Sequence, residues 1–82
     1  MAKVVLPLDA ARAFANGEQH LDVDAADVRK LIQALDERYP GIGQRLRTRT
    51  AVAIDGEIFQ EPYLQTIKPN SEVFFLPAIE GG

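Results

Sequence analysis

Val28, Leu31, Ile32, Leu35 and Tyr39 recur at the i, i+3, i+4, i+7, i+11 spacing of a single apolar helical stripe, with Arg29, Lys30, Gln33, Asp36 and Glu37 falling elsewhere. This pattern predicts one amphipathic helix with one buried face. Asp24 is placed to cap it, Asp27 would sit in its first turn, and Val23 and Val28 have the spacing of a hydrophobic staple. Pro40-Gly41 ends it, because proline disfavours helical geometry in the residue before it. The rest of the chain reads mainly as strands. Lys3-Val4-Val5-Leu6-Pro7-Leu8 is apolar and β-branched and predicts a first strand, closed by Pro7 and Asp9. Glu18 to Val23 alternates as a half-buried second strand, forming a hairpin with the first. Asp9 to Gly17 has only Phe14 as a large apolar residue and reads as a connection with about one helical turn.

Beyond a loop through Gly43, Thr50–Ile54 and Glu57–Phe59 flank Asp55-Gly56, a strong hairpin signal. Pro62-Tyr63-Leu64 and Lys68–Ser71 are turn material, and Glu72–Leu76 is the last strand. The order ββαββ with a final strand predicts an α+β fold of two layers, with one main helix over one face of a sheet of four to five strands. In the last strand, alternation sends Val73 and Phe75 to one face and Phe74 and Leu76 to the other.

Composition narrows the function classes. At 82 residues, with 46% hydrophobic and 26% charged positions, the chain is one ordinary globular domain with a thin core. It has no cysteine and one histidine, which excludes disulfides, thiolate metal sites and thiol catalysis. His20 reads as an exposed strand residue, and no metal site is expected. No apolar stretch approaches a membrane span, so a cytoplasmic protein is expected. A net charge of −3 gives no footprint for nucleic acid. Gly41-Ile42-Gly43 lacks the third glycine of a dinucleotide loop and follows a helix instead of opening one. Arg45, Arg47 and Arg49 alternate and could meet an acidic partner, but a solvated loop is the preferred reading. Asp24 and Asp27 are explained by helix capping, and no catalytic constellation remains.

The sequence closes on Glu72-Val73-Phe74-Phe75-Leu76-Pro77-Ala78-Ile79-Glu80-Gly81-Gly82. With the order of elements, this segment resembles the ubiquitin-like β-grasp family, and more narrowly the sulfur carriers of MoaD/ThiS type. Ala78 and Glu80 depart from the usual second proline and small neutral residue. The resemblance implies a β-grasp domain over 1–77 and a flexible tail over 78–82, with Ile79, Glu80 and Gly81 leading to the reacting Gly82. It further implies a protein co-substrate and no enzyme: an E1-like enzyme adenylates Gly82 with ATP, and a sulfur donor converts it to a thiocarboxylate. The acceptor would be a biosynthetic enzyme of the molybdopterin, thiazole or cysteine pathway, such as the large subunit of molybdopterin synthase. By the same resemblance Phe74, Leu76 and Pro77, with Val5 and Pro7, face that partner. The alternatives are a modifier joined through Gly82 to lysines and a β-grasp binding module.

Elementary chemistry is consistent with that role for the tail. An α-carboxyl group has a pKa of about 3.5, so at neutral pH it is an anion that nucleophiles ignore until a partner activates it. Glycines lack Cβ atoms and pass through narrow channels. From Pro77 to Gly82 an extended chain reaches on the order of 20 Å.

Overall fold

A computed structural model describes residues 1–48 and 50–77. The expected helix is α2, Val28–Arg38, and four of its five stripe residues, Val28, Leu31, Ile32 and Leu35, are buried, while Tyr39 is the half-buried C-cap just beyond it. Its cap is Asp27, not Asp24. Asp27 is extended, and its carboxylate accepts from the Lys30 N–H at 2.8 Å. Val28 is therefore the first helical residue, too early to form a staple with Val23, although both side chains join the core. The remaining first-turn donors are satisfied from outside the helix. Val28 N–H donates to the Gln65 carbonyl and Arg29 N–H to the Tyr63 carbonyl. The loop after the second hairpin thus closes this helix end.

The strands are β1, Ala2–Val5; β2, His20–Val23; β3, Thr50–Ile54; β4, Glu57–Phe59; and β5, Glu72–Pro77. They form one mixed sheet in the order β2-β1-β5-β3-β4, with β1 and β5 parallel and all other neighbours antiparallel. The Asp55-Gly56 turn is as predicted, with φ of +50° and +88°, the two positive angles of a twisted two-residue hairpin. Val4, Leu6, Val52, Val73 and Phe75 face the helices and, with α2, make the core.

Two further helices replace expected loops. α1, Leu8–Phe14, occupies the stretch read as a connection, so β1 and β2 pair without a tight turn between them. Its buried face is Ala10 and Ala11, whose methyl groups allow close packing but contribute almost nothing to a hydrophobic period. α3, Ile42–Arg47, buries Ile42 and Leu46 one turn apart. It starts at Gly41, whose φ is +99°, and Asp36 Oδ1 accepts from both Gly41 N–H and Gly43 N–H at 3.1 and 2.9 Å. Arg45 and Arg47 accordingly lie on a helix and do not alternate along a strand. Arg49 lies outside the described residues.

Gly41 is required twice over, since its φ is left-handed and a Cβ there would stand 2.9 Å from the Phe14 ring. Gly41→Ala is expected to destabilise the fold by about 1–3 kcal/mol, read as a lowered urea midpoint with an unchanged slope.

Candidate functional site

The sheet face opposite the helices has a definite pattern, set by register. Val5 is the partner of His20 on one side and Phe74 on the other; Ala53 is the partner of Phe74 and of Ile58. His20, Val5, Phe74, Ala53 and Ile58 therefore form one row across all five strands, with neighbouring Cβ atoms about 5 Å apart. Phe74 is 39% exposed and Ile58 55%, high values for large apolar side chains. One pleat towards Pro77, half-buried Leu76 stands opposite Ala51. One pleat in the other direction the row is charged: Lys3 lies between Asp22 and Glu72. The open face is thus apolar on the side from which β5 leaves the sheet and ionic on the other.

Among the sequence-predicted docking residues, Phe74, Leu76 and Val5 share this face, with Phe74 at its centre. Pro77 is exposed at the end of β5, opposite Thr50. Pro7 is a correction. It is buried at the N-cap of α1, where its fixed φ of −59° starts that helix, so it offers nothing to a partner on the open face. Ile79, Glu80, Gly81 and Gly82, and the expected tail over 78–82, lie outside the described residues. Sequence reasoning missed Ile58 and Ala53. Their signal was present, because a two-residue turn at Asp55-Gly56 pairs Ile54 with Glu57 and hence Ala53 with Ile58, opposite Phe74.

Asp55 fixes the start of β5 relative to this hairpin. Its Oδ1 accepts from Glu72 N–H and its Oδ2 from the Ser71 hydroxyl, each at 2.9 Å, while its own N–H donates to the Glu72 carbonyl. The Glu72 N–H, followed by the Ser71 hydroxyl, holds the Asp55 carboxyl below its ordinary value of 3.8. Because the folded-state pKa is depressed, the associated stability is present above about pH 4 and is lost as pH falls through the lower folded value. Asp55→Asn should therefore be less stable than wild type at pH 7, with the gap closing as pH drops below 4 in parallel thermal melts. His20 is an exposed strand residue, as expected. Among the described residues, no group of three or more histidine, aspartate or glutamate side chains could hold a metal ion. No helix among them is long and apolar enough to cross a membrane.

A mixed sheet with parallel central strands β1 and β5, a main helix across one face and a bare opposite face is the ubiquitin-like β-grasp architecture. Solved structures share it over nearly the whole chain. A chain of the Amycolatopsis orientalis BexX/CysO complex is 24% identical with a TM-score of 0.83, covering 100% of both chains. Mycobacterium tuberculosis CysO, described as an antigen, is 19% identical with a TM-score of 0.84, covering 96% of this chain and 100% of its own. SAMP1 from Haloferax volcanii is 21% identical with a TM-score of 0.67, covering 99% of this chain and 98% of its own. At these identities the likeness carries the fold. The family follows from sequence: the ThiS family model matches residues 8–82, so the chain belongs to the ThiS family. No curated protein matches the sequence.

Proposed function

We propose that this protein is a sulfur carrier that works as a co-substrate, with Gly82 as its reacting residue. An E1-like enzyme docks on the open sheet face and draws the segment beyond Pro77 into its active site. There a Gly82 carboxylate oxygen attacks the α-phosphorus of ATP, forming an acyl adenylate and releasing pyrophosphate. The terminal sulfur of a donor persulfide then attacks the acyl carbon and AMP leaves; a second thiol attacks the donor-side sulfur of the resulting acyl disulfide, forming a disulfide with it and releasing the thiocarboxylate. The same face and segment serve the acceptor, a biosynthetic enzyme that takes the sulfur. The molybdopterin, thiazole and cysteine pathways each supply such an acceptor, and the large subunit of molybdopterin synthase is one instance.

The observation that carries this reading is the apolar row centred on Phe74. It lies on the strand that leads through Pro77 to Gly81-Gly82 and is left open by a fold that buries Val73 and Phe75 of the same strand on the opposite face. ThiS-family membership supports it, as does the existence of a BexX/CysO complex, which shows a chain of this fold assembled with another protein. The catalytic groups belong to the partners. Intact-mass spectrometry after incubation with ATP, the host's E1-like enzyme and a sulfur donor tests the reading. Replacement of one Gly82 oxygen by sulfur supports it. An isopeptide-linked adduct without any free thioacid favours the modifier instead, and an unmodified mass with every E1-like enzyme of the host contradicts both.

A further inference from the structure

We infer that His20 makes docking on the open face sensitive to pH: the enzyme that covers Phe74 also covers the His20 imidazole and receives it uncharged. The inference rests on the carrier reading above and concerns the enzyme that activates Gly82. His20 opens β2 and ends the row that runs through Val5 to Phe74. Its side chain is placed by more than register. A hollow of about 210 Å³ on the open face is lined by Lys3, Val5, His20, Glu72 and Phe74, so the imidazole and the aromatic ring border the same space. Across the sheet His20 stands two strands from Phe74, about 10 Å at the usual strand spacing.

That distance decides whether a partner can avoid the imidazole. A stable interface removes roughly 800 Å² from each side, which is a patch about 16 Å in radius when drawn round one centre. Centred on Phe74, it takes in both ends of the row, His20 at one and Ile58 at the other. A histidine side chain changes charge between about pH 5 and 8, and loss of water disfavours its charged form. The charged groups that face His20 leave this sign standing. Lys3 of β1 lies diagonally across the Val5 pair and Asp22 two residues along the same strand, each about 7 Å away, and their opposite charges offset one another. Glu72 borders the hollow from β5, one strand further off. β2 is an edge strand, so no further strand faces His20 from beyond it. Desolvation therefore decides: docking takes the neutral ring and expels the proton of a charged one.

The test is calorimetric titration of wild type and His20→Gln against the host's E1-like enzyme at several pH values between about 5.5 and 7.5. Titrations of the enzyme's own groups act on both proteins and cancel in the ratio of their Kd values. That ratio, wild type over His20→Gln, is expected to rise about tenfold as the pH falls across this range. Near pH 6, wild-type titrations in buffers of different ionisation heat should show proton release on binding, and those of His20→Gln should not. His20 is exposed, so thermal melts of the two proteins should overlay. A ratio that is constant with pH overturns the inference, as does one that falls with falling pH, the sign of an enzyme carboxylate meeting a charged ring. Either result leaves the carrier reading standing; failure of wild type to bind any E1-like enzyme of the host at pH 7.5 removes both.

Discussion

A chain lacking Gly82 is expected to fold with unchanged stability and to form no adenylate. The two halves of this prediction separate body from tail. Among the described residues every member of the core cluster lies at or before Phe75, and the described pairing of β5 ends at Pro77, so removing the last residue takes nothing from the described core or sheet. Chemistry is lost completely because the reacting carboxylate is withdrawn by one residue, about 3.5 Å, from where the enzyme aligns it with the α-phosphorus of ATP. Displacements of that size remove a near-attack geometry altogether. Adding one residue after Gly82 should do the same by moving the carboxylate forward. Thermal melts that overlay wild type, together with an intact mass that never shifts under activating conditions, are the expected pair of results. A binding module whose glycines are incidental would lose nothing in either variant.

The second large effect is expected at Phe74. Phe74→Asp should weaken binding to the E1-like enzyme by about 100-fold, because a central aromatic anchor is lost and a carboxylate is buried unpaired in its place. Domain stability should change far less. Phe74 is 39% exposed and packs beside Val5 and Ala53 on the open face, so the cost to the isolated domain is on the order of 1 kcal/mol of strand preference. Ile58→Asp, in the same row but not on the predicted docking strand, should weaken binding in the same direction. Gln33→Glu on the exposed side of α2 should not. Calorimetric titration of the four proteins against one enzyme measures the ranking.

How far the sequence revealed this arrangement depended on side-chain size and on the range of the contacts. α2 was legible because large apolar residues repeat at helical spacing, and the β3–β4 hairpin because Asp55-Gly56 tolerates the two positive φ angles the turn demands. The division of β5 into Val73 and Phe75 on one face and Phe74 and Leu76 on the other followed from alternation, while the choice of the second pair as the outward one came from the family resemblance. α1 was hidden because it is buried through Ala10 and Ala11, and α3 because its buried pair, Ile42 and Leu46, is too short a period to stand out beside two glycines. The Asp27 cap was misassigned to Asp24 because both fit the local pattern. The choice was made by Tyr63 and Gln65, some 35 residues away, whose carbonyls close the first turn at Val28 and Arg29. The site was legible in part for a related reason. Local alternation put Phe74 on the face opposite Phe75 and the resemblance made that face the outer one, but its neighbours Val5 and Ala53 are brought beside it by long-range pairing with β1 and β3. Pro7 looked like a strand residue and proved to be the start of a helix.

The central claim, that an open apolar sheet face presents Gly82 to an adenylating enzyme, is tested most directly by ATP–pyrophosphate exchange. With the host's E1-like enzyme, exchange should depend on added carrier and saturate, be absent with the chain lacking Gly82, and reach the same plateau with Phe74→Asp at about 100-fold higher carrier concentration. Exchange that is indifferent to both changes would contradict the account.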